Sequence, residues 1–328
     1  MTEFLKNLDI FGKYFYLNLE KKDKFKSIIG GIMAIILFLG SIGVIFYFGQ
    51  DIYYKTNPLV SNSVRQLDYF PFATLNNSNF LFAMNLHNGS SFDTIFTNKS
   101  FIEFRVTYHG VSINPETGQK ESFNNMYPMS DCNSSHASEA DILNNNLNSF
   151  QCAIVDFEIG GMSHLDTYKY LKYELKRCDE ATEDLYNITC APANEIDDLL
   201  FFSQIGVITQ RLIPNNGNFE IPVVPSYNYD YYVLSGFYAD GKYVQNSIYY
   251  NPSTVQSDTG FIFSDITRNQ SFIEFRRSEK EERTPSKDYF IFKSNIYLSN
   301  YETTSIRTYI KVPEIAARVG GLFSCILE

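Results

Sequence analysis

Positive charge is scarce in this sequence: 27 Lys and Arg stand against 37 Asp and Glu, a formal net charge of −10. With no basic stripe to displace counterions from phosphates, a broad nucleic-acid surface is excluded. Histidine is sparse too. His87, His109, His136 and His164 lack HExxH or paired-cysteine spacing, so no zinc site is written into the chain. His136, four residues beyond Cys132, reads as a loop histidine beside a disulfide. A P-loop and a dinucleotide fingerprint are absent, and Gly161-Met162-Ser163-His164 lacks the closing glycine of a nucleophile elbow. Asp197-Asp198 reads as the acidic start of a helix rather than a catalytic pair. These absences point away from an enzyme, a metal and a cofactor. Tryptophan is missing altogether, which leaves any aromatic belt at a membrane interface to Tyr47, Tyr53 and Tyr54.

Charge disappears entirely over residues 28–48, IIGGIMAIILFLGSIGVIFYF. At 1.5 Å per residue this run reaches about 31 Å, the thickness of a bilayer's hydrocarbon core. Lys21, Lys22, Lys24 and Lys26 precede it and outweigh Lys55 and Arg65 behind it. The positive-inside rule therefore puts Met1 in the cytoplasm and residues from 51 onward outside. A cleaved signal peptide is the competing reading, opposed by the length of the run and its distance from Met1. Within the helix Gly30, Ala34, Leu37 and Ser41 form a face of mostly small residues where another helix can approach. Residues 1–27 interleave aromatics with lysines, which suits either the inner leaflet or a neighbouring subunit.

Cys132, Cys152, Cys178 and Cys190 all follow the helix, where an exported domain is oxidised. Three pairings exist. Cys132 with Cys152 and Cys178 with Cys190 close the short loops and are expected, with Cys325 left over. The sequons Asn76, Asn88, Asn98, Asn133, Asn187 and Asn269 also lie beyond the helix, where a glycosylating lumen meets them.

Residues 49–66 read as a stalk and 67–312 as a β-rich, sandwich-like ectodomain. Strands are expected at 80–86, 101–108, 150–159, 205–213, 229–237, 260–265, 271–276, 289–298 and 305–312. Asp240-Gly241 marks a hairpin turn, and 276–287 a solvated hairpin tip. Pro192 with Glu195, Asp197 and Asp198 opens one short helix. Residues 166–178 fit helix and strand periodicity equally. NKSFIEFR at 98–105 returns as NQSFIEFR at 269–276, which would make the ectodomain two related β-modules if the echo reflects duplication. Tyr227, Tyr229, Tyr231, Tyr232, Tyr238, Tyr249 and Tyr250 are candidate contact residues or a β-core lining.

An apolar run opens at Val319-Gly320-Gly321 and continues to Leu327, less than half a bilayer at about 1.5 Å per residue. Residues 313–328 are accordingly expected to begin a second membrane segment. Several stretches together resemble a family of two-pass transmembrane proteins abundant in ciliates. They are Leu8-Asp9-Ile10-Phe11-Gly12, Lys26-Ser27-Ile28-Ile29-Gly30-Gly31, Arg177-Cys178, Cys190-Ala191-Pro192-Ala193-Asn194-Glu195-Ile196-Asp197, Arg307-Thr308-Tyr309-Ile310-Lys311 and Ile315-Ala316-Ala317-Arg318-Val319-Gly320-Gly321. The resemblance implies a second crossing from the glycine pair. Through residues 8–31 and 319–323 the plan is similar, more distantly, to the ERGIC-type cargo receptors of the ER and Golgi. Neither resemblance supplies catalytic residues.

The expectation is a non-enzymatic structural or interaction protein, held in a membrane of the secretory pathway, the cell surface or a cilium. Its partners are membrane lipid and other membrane or extracellular proteins, in a homo- or hetero-oligomer. A cargo receptor and a two-helix channel subunit are the alternatives; the first helix offers a pore only Ser41 and glycines. The mitochondrial inner membrane is the alternative location.

Overall fold

The computed structural model describes residues 2–8, 27–55, 57–88, 98–201, 203–234, 242–283 and 290–327. Helix α1 (Thr2–Asn7) lies against α2 (Ile28–Tyr54). Ser27 opens α2 by accepting the Gly30 N–H on its Oγ at 2.9 Å, and left-handed Lys55 (φ 50°) closes it with an N–H to the Asp51 carbonyl. The helix thus passes its expected end at Phe48, since no proline interrupts the chain before Pro58. Its most apolar window has a mean hydropathy of 2.6 and is only 11% buried. A core helix of a soluble domain would be covered on most sides.

The first half of the chain supplies β1 (Leu59–Gln66), β2 (Phe72–Asn76), β3 (Phe82–Asn88), β4 (Ile102–Ile113), β5 (Lys120–Pro128), β6 (Ser130–Asp131), β7 (Gln151–Cys152), β8 (Asp156–Gly161) and β9 (Tyr168–Arg177). The second half adds β10 (Ser203–Pro214), β11 (Val223–Val233), β12 (Tyr243–Asp258), β13 (Ile266–Arg283), β14 (Phe290–Leu298) and β15 (Tyr301–Thr308). Short helices α3 (Glu139–Asn144), α4 (Glu180–Tyr186) and α5 (Ala193–Phe201) interrupt the strands, and α6 (Val312–Leu327) follows them.

Among the described residues, five strands in the order β11-β10-β3-β7-β6 form one sheet and ten form the other. β12 is the spine of the larger sheet. β13 pairs antiparallel along one edge, while β14 and then β15 pair parallel along the other. Pro252, with no N–H to donate, sits between the last β14 pairing at Tyr250 and the first β15 pairing at Ser253. β14 leads on through β9 and β4 to β5, and β15 leads to β1.

The two sheets face each other across one core, so the sandwich expectation holds. Phe82, Met84 and Leu86 of β3 meet Leu171, Tyr173 and Leu175 of β9 there. The alternate residues of the small sheet, with Leu81, pack outward: Ala83 and Ile208 cover a second cluster with Leu147, Phe150 and the Cys132–Cys152 pair. Phe82 lies 4.2 Å from the Tyr173 ring and Tyr232 5.0 Å from Phe292, centroid to centroid. Each such large side chain contributes roughly 1.5–3 kcal/mol of burial.

Several local expectations need correction. The supposed stalk contains β1, which pairs residue for residue with β15; its polar side chains suit an exposed edge and concealed the strand. Residues 150–159 are not one strand, because β7 and β8 belong to different sheets. Residues 260–265 form a loop rather than a strand, held by side-chain hydrogen bonds described below. The charged stretch expected as a hairpin tip continues β13 as far as Arg283, since β12 offers it partners throughout. Residues 166–178 resolve to β9, because Leu171, Tyr173 and Leu175 alternate into the core. α5 forms where Pro192 and the acidic residues predict a helix. The Asp240-Gly241 turn and Tyr238 lie outside the described residues.

The repeated octapeptide does not head two modules. Its first copy leads into β4, paired on both edges, and its second lies within β13, which among the described residues pairs only with β12 in the same sheet. Strands from both halves of the chain interleave in each sheet, whereas sequential modules would each keep their own.

Candidate functional site

Strand registers place the ends of many elements together. β10 and β12 run toward Pro214 and Asp258, where β15 finishes at Thr308 and β1 begins at Leu59. This end also receives both long apolar helices. Tyr53 and Tyr54 of α2 and Lys55 after it line a cavity of about 290 Å³ with Gly217, Asn218, Phe219 and Glu220, and α6 packs on α2.

Cations organise the loops here. Arg307 is 0% exposed, and among the described residues no carboxylate pairs with it. Its guanidinium donates to the carbonyls of Asn215 and Asn218 at 2.7 Å, to Phe219 O at 3.2 Å and to Ser257 Oγ at 2.7 and 3.1 Å. Five donors on a rigid fork suit arginine alone. Lys55 lies 4.1 Å from the Phe219 ring centroid and Arg268 5.3 Å.

Asp258 accepts the backbone N–H groups of Gly260 and Asp265 at 3.0 and 2.8 Å and the Lys311 ammonium at 2.9 Å. Burial alone would raise the Asp258 carboxyl, but these hydrogen bonds from Asp265, Lys311 and Gly260 outweigh it and hold the group at about 2. Lys311 further donates to Gly260 O and Phe263 O at 3.2 and 3.1 Å.

A second feature runs across the outer face of the large sheet. Tyr168, Tyr170, Tyr297 and Tyr249, from β9, β14 and β12, stack in succession with centroids 6.2, 5.0 and 5.4 Å apart. They line an open groove of about 540 Å³ with Arg276, Arg277 and Glu279 of β13. Arg277 sits 4.8 Å from the Tyr249 ring and Lys172 5.2 Å from Tyr170. Burial, then the neighbouring Tyr249, pushes the Tyr297 phenol up to about 12. Burial also raises Tyr170 and Tyr249. Ring faces are spent on one another, which makes the strip rigid. Sequence reading missed three of these four residues; Tyr168 and Tyr170 at a spacing of two were the available signal.

The predicted tyrosines scatter. Tyr232 and Tyr250 are buried, Tyr229 and Tyr231 are exposed, and Tyr227 backs the outer cluster. Tyr229 donates its hydroxyl to Asn145 Oδ1 at 2.8 Å. Both expected disulfides are present, Cys132–Cys152 and Cys178–Cys190; the side chain of Cys325 is outside the described set. Asn98, Asn133, Asn187 and Asn269 are exposed, while Asn76 is half-buried. In three sequons the asparagine Oδ1 accepts from the serine hydroxyl two residues on, at Asn76, Asn98 and Asn133. Asn88 ends β3.

The small face of α2 meets this chain's own helices. A Cβ on Gly31 would stand 1.8 Å from Leu5 O of α1, Gly30 and Ser41 are buried, and Ala34 and Leu37 are half-buried. Ser41 Oγ donates to Leu37 O at 2.6 Å. His136 is buried with Nδ1 at 3.2 Å from the Asn133 N–H, and His109 lies beside Tyr170 at 5.1 Å. Among the described residues no group of three or more His, Cys, Asp or Glu converges as metal ligands would.

No curated protein matches the chain. Among solved structures, the crystal structure of Erv41p aligns with 75% of this chain and 99% of its own length, at 5% identity and a TM-score of 0.22. A superposition this loose leaves the description of the fold resting on the sheets themselves. Residues 76–301, well over half of the sequence, match the family described as the uncharacterised 80 kDa protein N-terminal domain, and the chain belongs to that family.

Proposed function

We propose that this protein is a non-enzymatic, membrane-anchored interaction subunit. α2 crosses the bilayer with its N-terminus cytoplasmic, and the sandwich stands in an oxidising lumen or outside the cell. The observation that carries this reading is the placement of the apolar helices: α2 and α6 meet at one end of a disulfide-bonded sandwich. In the two-pass reading, α6 opens the return crossing beside α2. The tyrosine and arginine groove on the outer sheet receives a protein partner, since rigid aromatic rings beside arginines give contact area at small entropic cost.

The test is protease protection on sealed microsomes carrying the full chain. The sandwich should survive until detergent is added, and glycosidase treatment should then shift its mobility. A sandwich digested in intact microsomes, with four thiols open to maleimide, would overturn the reading. For the groove, Tyr249→Ala with Arg277→Glu should weaken self-association or partner association in mild detergent while leaving the melting curve in place. Retained association would remove the groove from the interface.

A further inference from the structure

The loop between β12 and β13 carries three consecutive large apolar residues, Phe261, Ile262 and Phe263, which are 59, 55 and 82% exposed. Leaving each in water forgoes roughly 1.5–3 kcal/mol of burial. A slack loop would fold these side chains back. This one is clamped outward at both ends: the Thr259 N–H donates to Asp265 O at 2.8 Å, and Asp258 with Lys311 ties down Gly260, Phe263 and Asp265 as described. Gly260 is required, because a Cβ there would lie 1.8 Å from Phe263 O. A buried ion pair is thus used to display a greasy tip.

The location names the occupant. Phe261 O accepts the N–H of Val312, the first residue of α6, at 2.9 Å. The tip therefore stands at the mouth of an apolar helix that packs on α2. Leu59, Ile213, Ile221, Ile266 and Val312 are exposed on the same end, where Lys55, the residue that closes α2, holds its ammonium over the Phe219 ring.

We propose that Phe261, Ile262 and Phe263 insert into the non-cytoplasmic leaflet of the bilayer that α2 crosses, fixing the tilt of the sandwich on the membrane. The proposal rests on the spanning reading of α2. Because the chain has no tryptophan, Phe263→Trp creates a single tryptophan, excited selectively over the 24 tyrosines, at a site too exposed to disturb folding. The full chain would be reconstituted into phosphatidylcholine vesicles with and without brominated acyl chains. Phe38→Trp in α2, 64% exposed, reports the helix, and Met126→Trp on β5, 56% exposed, reports water.

Bromolipid should quench Phe263→Trp nearly as strongly as Phe38→Trp and leave Met126→Trp unaffected, with iodide showing the reverse order. If Phe263→Trp follows Met126→Trp while Phe38→Trp is quenched, the loop proposal is wrong and the spanning helix stands. If bromolipid quenches neither Phe38→Trp nor Phe263→Trp, the spanning reading falls and the loop proposal with it.

Discussion

At the end of the sandwich next to α2, two loops are gathered by cations: Arg307 holds the carbonyls of the β10–β11 turn, and Lys311 holds those of the β12–β13 loop. At the opposite end, where β9 finishes and β10 begins, the Cys178–Cys190 bond closes the loop that carries α4, and α5 follows it. Charges occur there as well, and the cations pair with carboxylates, as Lys311 does with Asp258 at the helical end, whereas Arg307 has only carbonyl and hydroxyl acceptors in the contacts described. Arg177 pairs with Asp197 at 2.9 Å and Lys176 with Asp179 at 2.8 Å, while Glu103 receives the hydroxyls of Thr182 and Tyr186. A covalent staple tolerates water and works by limiting the unfolded chain. A buried guanidinium works only where water is excluded, and its stabilisation is lost together with its geometry. The helical end is therefore the more brittle of the two.

The largest expected effect tests that brittleness directly. Arg307→Met leaves several buried acceptors unsatisfied and should lower the unfolding free energy by about 3–5 kcal/mol. Arg307→Lys should recover little, since an ammonium cannot reproduce the fork. Denaturant melts of the full chain in detergent would decide, and a loss below about 1 kcal/mol would break the comparison.

Next in size, Cys178→Ser with Cys190→Ser opens a loop of 12 residues and should cost about 3 kcal/mol. Opening the 20-residue loop of Cys132–Cys152 should cost about 0.5 kcal/mol more on the same chain-entropy account. If the first loss greatly exceeded the second, the far end would owe its stability to packing around the bond.

A pH series sharpens the contrast further. The folded Asp258 carboxyl sits at about 2, below its ordinary value of 3.8. Its contribution is thus complete above pH 4 and is lost as pH falls through 2. Asp258→Asn should flatten the wild-type loss of stability across that window. An unchanged acid limb would mean that Lys311 is held by the carbonyls alone.

The smallest expected effect is at Arg65, which reaches Glu302 at 2.7 Å with a side chain 72% exposed. Arg65→Ala should cost no more than about 1 kcal/mol. A loss comparable to that of Arg307→Met would show that charge count, rather than burial, explains the helical end.

Much of this was legible locally. The uncharged run that became α2, the proline and acidic residues that start α5, and the short-range cysteine pairs each depend on neighbours within about 20 positions. β12 was hard to read because its polar residues, among them Asn246, Asn251, Ser253 and Ser257, are buried. Strand pairs on both edges hide them, and no alternation announces such a strand. β1 looked like a stalk because its partner lies some 240 residues away.

Sequence by itself determined the apolar helix, the β-rich character and the cysteine pairs, since hydrophobic length, residue propensity and loop closure act over short spans. Only the tertiary structure decided that an octapeptide leads into a central strand in one copy and lies within an edge strand in the other, and that Arg307 is buried among carbonyls. Those outcomes depend on which distant segments exclude water from each other, a property of the assembled sheets that no local window contains.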